Sequence, residues 1–321
     1  MKKLALAALV CLAAIPLAAQ VNDTYVIPVS VNAPGSFGTR WMTQFSVMNP
    51  QLDYDLVVSI TYVPTNGAKG FEELVEVPAN SVAYSDNILD DLFGITSGSG
   101  ALLVATFPED NPGVPDEVIS RAFLVTTNTY NNSSTGTYGQ TVPGVWAGLM
   151  DYNSDGISSI AHGVRHIARL GWRTNVGAVN LGRCSVDLRL NIYDADGKTI
   201  RSGVWAKIPP LAHMQQALPL EVDRGSVEFF VDDPCASSST NYAVVFPYVS
   251  TIDQLSGDPT YQVPTLLANP NVIFSKKLTR IDTTALGKKI EAAMARGVRA
   301  SAQRLGKATL VKADKGYRIT Q

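Results

Sequence analysis

The sequence predicts an all-β chain: two tandem antiparallel β-sandwich domains followed by a short C-terminal helix and a hairpin. Three observations carry this expectation. First, the chain repeats itself. Trp41, Thr43 and Asn49 recur as Trp172, Thr174 and Asn180, each 131 residues further on, and Pro78 recurs as Pro209 at the same spacing. The copies also close alike, with Tyr138-Gly-Gln140-Thr-Val142-Pro143 in the first and Tyr261-Gln262-Val263-Pro264 in the second. A period of this length denotes a duplicated domain rather than a short solenoid unit. Second, apolar and polar residues alternate with the two-residue period of a pleated strand. Third, Gly, Pro and Asn punctuate many short segments, and helical signals are few, a pattern that argues for sandwiches.

The chain opens with Lys2 and Lys3, an apolar run over residues 4–10, and small residues at Ala18-Ala19-Gln20. These are the parts of a secretory signal over residues 1–20, with cleavage expected after Ala19 or Gln20. The run is too short for a bilayer-spanning helix. Cys11 follows Val10 rather than a small residue, which argues against a lipid anchor. The expected address is therefore the periplasm, the cell surface or the medium.

The first repeat, residues 21–143, starts with a strand over 25–31. Leu56, Val58, Ile60 and Tyr62 then alternate with Asp55, Val57, Ser59 and Thr61. Thr65-Asn66-Gly67 supplies a turn tolerant of positive φ. Strands are expected over 71–77, 101–107 and 118–130, with a short helix over 86–93 closed by Gly94. The second repeat, residues 144–265 including a short linker near 144–155, mirrors this with a strand over 157–167. Val186, Leu188, Leu190 and Ile192 alternate with Asp187, Arg189 and Asn191, and the turn Asp194-Ala195-Asp196-Gly197 follows. Further strands are expected over 202–208, 226–231 and 242–252. Counted from the shared Asn, the alternating strand starts one residue later in the first copy, yet the shared Pro is back in step. Loops must absorb the difference, because a slip inside the strand would turn its buried face outward. In both copies the Trp is expected to anchor the core and the Asn to end its strand by bonding local backbone.

The stretch Trp172-Arg173-Thr174 through Asn180, with Gly136-Thr137-Tyr138-Gly139-Gln140, resembles a group of uncharacterised exported bacterial proteins built from two Ig-like units. In these a Trp/Phe-Arg-Thr-x-Leu-x-Leu-x-Asn strand opens a unit and a Gly-Thr-Tyr-Gly-Gln-like segment closes one. The resemblance covers roughly residues 25–265 and implies two Ig-like sandwiches. It implies no catalytic residues.

Residues 266–321 differ in composition. From Lys276 onward twelve Lys and Arg residues stand against Asp282, Glu291 and Asp314. Asp282 or Thr283 can cap a helix reaching about Leu305, with Leu286, Ile290, Met294 and Val298 at helical spacing. Residues 308–313 and 317–320, around Asp314-Lys315-Gly316, form a closing hairpin. Two readings stand for this basic extension: a contact device that engages an acidic partner, an anionic polymer or a lipid surface, or a helix packed on the second sandwich with solvated charges. The plainer second reading is preferred.

Candidate chemistry is sparse. Asp151-x-Asn153-x-Asp155-Gly156 matches the opening of a calcium loop, but His162 occupies the twelfth place where a bidentate Glu is needed. A polar turn is the preferred reading; the alternative is a partial calcium site completed by other oxygens. His162 and His166 stand four apart, a metal spacing on a helix, but Gly163 and the strand pattern argue against zinc. His213 is the only other histidine. Ser97-Gly98-Ser99-Gly100 is a turn before a strand, not a nucleophile elbow. Adjacent carboxylates such as Glu72-Glu73 and Asp90-Asp91 read as surface charge. Cys184 and Cys235, the two cysteines beyond the signal, form a disulfide candidate within the second repeat; two separate thiols are the alternative.

A net charge of −2 gives no general bias toward nucleic acid. No cofactor is expected, and no segment beyond the signal has the length and hydropathy to span a bilayer. The expected function is that of an exported, non-enzymatic structural or interaction protein of the envelope or surface, binding a protein or glycan partner through sandwich loops and sheet edges, with the basic tail as a candidate docking element. One alternative is a carbohydrate-binding module using Trp146, Tyr152 or Trp205. A further alternative is a hydrolase with a site between the domains. Oligomeric state is not legible.

Overall fold

The computed structural model describes residues 22–35, 38–133, 136–146, 157–232, 243–268 and 285–321. The signal segment, Asp151, Tyr152, Asn153, Asp155, Cys235, Asp282 and Thr283 lie outside the described residues.

The chain is mostly β. The first half holds β1 (Thr24–Pro34), β2 (Arg40–Asn49), β3 (Leu56–Pro64), β4 (Phe71–Val77) and β5 (Ser81–Ser85). Helix α1 (Ile88–Phe93), β6 (Gly98–Ala105), β7 (Leu124–Ser133), β8 (Gly136–Pro143) and β9 (Val145–Trp146) complete it. The second half holds β10 (Ile157–His166), β11 (Trp172–Asn180), β12 (Val186–Tyr193), β13 (Thr199–Ile208) and β14 (Ala212–Ala217). It continues with β15 (Val222–Asp232), β16 (Val245–Asp253), β17 (Pro259–Gln262) and β18 (Thr265–Ala268). The tail supplies α2 (Ala285–Ser301), β19 (Gln303–Lys307), β20 (Thr309–Lys312) and β21 (Tyr317–Thr320).

Strand pairing recurs between the halves. In the first, β1 pairs with β6 and β9, β2 with β5 and β7, β3 with β4 and β6, and β7 with β8, all antiparallel. In the second, β10 pairs with β15 and β18, β11 with β14 and β16, β12 with β13 and β15, and β16 with β17. Moving nine strands along the chain turns one set into the other. The second half keeps its five-stranded and four-stranded sheets separate. Between them lie Val186, Leu188, Leu190 and Ile192 of β12 and Val176, Ala178, Val245 and Val249 of the facing sheet. The first half departs from two separate layers. The end of β1 crosses to β2 through Ala33↔Trp41 and Pro34↔Arg40, joining both layers into one twelve-stranded sheet.

Turns behave as their residues dictate. Asn66 and Gly67 take φ of 64° and 71°, Gly197 takes 79°, and Gly94 caps α1 at 65°. Asn49 donates to the carbonyls of Tyr54 and Val77 and accepts from Gln51 N–H. Asn180 donates to those of Cys184, Ile208 and Pro209 and accepts from Gly182 N–H. Each fully buried Asn thus ties the end of its strand to the following loop.

Three expectations need correction. Residues 118–130 are not one strand: Val118–Arg121 forms a 3-10 turn, and β7 begins at Leu124. The segment ahead of β1, Asn22 and Asp23, dictates this. Arg121, almost buried, pairs with Asp23 and Asp116, and Phe123 N–H bonds Asn22 O. The two Trp residues are not core anchors; Trp41 and Trp172 are half-buried, and Arg165 covers the Trp172 ring at 4.9 Å. The buried members of each motif are the threonine and the asparagine. Thr43 accepts from Val31 N–H at 2.8 Å and meets Thr129 at 3.3 Å, and Thr174 meets Thr251 at 2.8 Å.

The tail supplies the third correction, because it packs chiefly on the first half. Strand β19 adds in parallel to β4, and β21 of the closing hairpin adds in parallel to β5. Helix α2 places Met294, Ala295 and Val298 in a cluster with Val26, Leu103 and Phe107 of the first half and Val179, Leu181 and Phe246 of the second. Charge decides the side. Glu72 and Glu73 of β4 attract the basic tail, whereas Gly203 and Val204 stand at the positions 131 residues on.

Candidate functional site

Two constellations stand out: an ion-pair latch under the tail and a cavity between the halves. In the latch, Arg299 binds Glu72 at 2.7 Å through Nε and Asp110 at 2.6 Å, and its guanidinium lies 4.5 Å from the Phe107 ring centre. Ser59 donates to Glu72 Oε1 at 2.8 Å, and Arg304 adds a contact to Oε2 at 3.1 Å. Burial raises the pKa of Glu72, opposed by the Ser59 hydrogen bond and the Arg299 charge. Glu72 and Glu73, expected as surface charge, are instead buried; Glu72 and Asp110 face their own tail rather than an open cleft, so the latch is a fastening.

The cavity, about 370 Å³, lies where β1, β2 and β8 of the first half meet β11, β14 and β16 of the second. The two-residue period of β11 builds one wall: Thr174 and Val176 face inward to bonds and core, so Arg173 and Asn175 face the seam. Trp41, Ser99, Thr129, Gln140, Gln215 and Ser250 complete the polar and aromatic lining. Arg173 is the one ionisable residue on that lining, and its buried Nε has no hydrogen-bond partner among the described residues. Gln140 and Ser250 bridge the halves at 3.0 Å.

A buried polar chain backs the cavity. Thr65 meets His213 Nδ1 at 3.0 Å, His213 Nε2 meets Tyr248 Oη at 2.8 Å, and Tyr248 donates to Gln215 Oε1 at 2.7 Å. One proton order satisfies all three contacts: the Thr65 hydroxyl donates to Nδ1 and Nε2–H donates to Tyr248, an order assigned from partners. Burial lowers the His213 pKa to about 3, so the ring is neutral. Burial likewise holds Tyr248 and Tyr261, stacked at 5.4 Å, well above the usual phenol range. Gly177 makes room for this chain, since a Cβ there would lie 2.1 Å from Tyr248 Cζ.

The residues singled out in the sequence do not converge here. His162 is exposed on β10, and His166 Nδ1 accepts Thr174 N–H at 3.0 Å. Gly163 between them takes φ of 68° at a bulge, which breaks any helical spacing. His213 is a buried structural link between halves. Ser99 is already in β6, and its carbonyl accepts from the Tyr62 hydroxyl and the Thr65 backbone N–H. Cys184 is disulfide-bonded. Trp146 and Trp205 are half-buried on strands of different sheets, and Trp205 packs against the second core. Among the described residues no group of three metal-ligating side chains occurs, and no helix is long and apolar enough to cross a membrane. Sequence reasoning missed the cavity residues, although a signal existed: Arg173 and Gly177 stand where the first copy has Met42 and Ser46. Positions at which the copies differ mark the seam.

No protein-family model matches the chain, nor does any curated protein. Among solved structures it is similar to a β-glucuronidase of Bacteroides uniformis at 14% identity, over 72% of this chain and 26% of that one, with a TM-score of 0.13. The chain thus spans about a quarter of that protein's length, and a likeness of this size carries no argument.

Proposed function

We propose that this protein is an exported, non-enzymatic interaction protein of the cell envelope or surface, made of two tandem Ig-like units, that binds its partner by strand addition. The open edge of β13 carries the proposal. In the first half the counterpart strand β4 has its outer side occupied by β19. Strand β13 ends its sheet, and no described strand covers it. Ile200 and Val204 on it are 40% and 55% exposed. A long edge strand with unpaired N–H and C=O groups is a template for an incoming chain, unless something blunts it.

The charges indicate what that chain looks like. On β4, Glu76 receives Lys307 of the tail. The position 131 residues on is Lys207, with Arg201 also exposed on β13. The sign is reversed, so the fitting occupant is an extended acidic segment of another protein and not a second copy of the basic tail. A photo-cross-linker at Val204 in the full chain, in fractionated cells, tests this. The expected product joins Val204 to an acidic, extended segment of one envelope protein, and Lys207→Glu abolishes it. Cross-links to varied peptides, or links indifferent to Lys207→Glu, would refute strand addition here.

A further inference from the structure

We infer that the cavity between the halves binds a small polyhydroxylated carboxylate, an acidic sugar of the hexuronate class. Arg173 sets the ligand's charge. This guanidinium stands on a cavity wall with its buried Nε lacking a hydrogen-bond partner, and no carboxylate pairs with it, among the described residues. Its planar fork matches a carboxylate in bidentate geometry. With Arg173 the sole charge on the lining among the described residues, the site suits a monoanion. A phosphate dianion would call for further cations or a helix N-terminus, and the lining offers neither.

The remaining walls set the ligand's shape. Asn175 presents an amide that both donates and accepts, Gln215 keeps its NH2 donors while its Oε1 accepts from Tyr248, and the Gln140–Ser250 pair closes the seam beside them, a polar wall suited to ring hydroxyls. Trp41 contributes an aromatic surface for the apolar face of a sugar. At about 370 Å³ the space is near the lower end of the roughly 300–1,000 Å³ usual for small-molecule sites. It holds a single small molecule rather than a polymer. Both halves contribute: Trp41 and Gln140 from one, Arg173, Asn175, Gln215 and Ser250 from the other. Occupation therefore ties the halves together.

The test is titration of the full chain with galacturonate, glucuronate and mannuronate, read by calorimetry and by tryptophan fluorescence, with galactose and acetate as controls. Saturable binding of at least one hexuronate is expected. Galactose should bind at least about tenfold more weakly, since a charged hydrogen-bonded contact is lost. Arg173→Met should weaken the hexuronate on the order of 10- to 100-fold. Arg173→Lys, which keeps the charge and loses the fork, should fall between and guards against misfolding of the first variant. Absence of saturable binding by all three acids overturns the inference. So does equal affinity for galactose, or binding unchanged in both variants. Binding that survives loss of the β13 partner separates this inference from the strand-addition proposal.

Discussion

Removing Arg299 should be the most damaging single change in the tail, and the structure sets its size. The guanidinium holds two carboxylates, Glu72 at 2.7 Å and Asp110 at 2.6 Å, and the three side chains are 12%, 3% and 12% exposed. Arg299→Met keeps the stem that passes over Phe107 and deletes the charge. Breaking a buried pair by removing one partner costs about 3–5 kcal/mol, because the other charge is left uncompensated. Ser59 and Arg304 still reach Glu72, so the lower end, about 3 kcal/mol, is expected at pH 7. The penalty should shrink with acid. Burial raises the Glu72 pKa and Arg299 opposes that rise, so the variant's Glu72 is raised further. A carboxyl whose folded pKa exceeds its unfolded value gains stability as pH falls through the folded value. Glu72→Gln should accordingly restore much of the loss when combined with Arg299→Met. Urea midpoints at pH 7 and pH 4.5, with hydrogen exchange of the β4 and β19 amides, provide the assay. A variant within about 1 kcal/mol of the parent at pH 7, or a deficit unchanged by pH, would refute the reasoning.

Other outcomes follow from the same contacts. Asn49→Ala and Asn180→Ala should each cost about 1–3 kcal/mol by leaving buried carbonyls unpaired, with similar values because their bonds correspond; a large disparity in denaturation midpoints would count against equivalence. His213, lowered to about 3, contributes stability fully present above its unfolded pKa near 6.5 and lost as pH falls toward 3. His213→Gln should flatten the fall in urea midpoint between pH 6.5 and pH 4, and an unchanged slope would place the acid sensitivity elsewhere. A chain ending at Ala268 loses β19, β21 and the Met294 and Val298 contacts, which bares the β4 and β5 edges. It should aggregate in light scattering, whereas a folded monomer would show the tail to be dispensable.

What the sequence made legible was whatever local pattern controls. The alternation of Val186 to Ile192 placed β12, residues 71–77 coincide with β4, and Gly94 and Gly316 marked where α1 and the hairpin turn. Tertiary choices were not legible. The charges that send the tail to β4 belong to residues more than two hundred positions away, and no local window contains both. The same holds for the cavity: Arg173 reads as one more polar residue of an alternating strand until Gln140 and Trp41 are brought opposite it. Tyr248 looks like a core aromatic of its own half, yet it packs in the first core because Gly177 leaves it room. The 118–130 error has a similar origin, since β propensity there yields to the Arg121 pairs.

The tail's place in the first sheet also orders events in time. Arg304 and Glu72 are 232 residues apart in the chain. Loops of such length close slowly relative to hairpins, and non-local strand pairing is a slow step in folding. The second half completes its two sheets within residues 157–268, so it can fold while the earlier half still waits for its edges. A chain emerging from its N-terminus therefore finishes its first-made half last, when residues 303–320 arrive. Until then β4 and β5 lie uncovered, open to the wrong partner. A product stalled before residue 303 keeps them so, which makes docking of β19 and β21 the step that closes the first sheet.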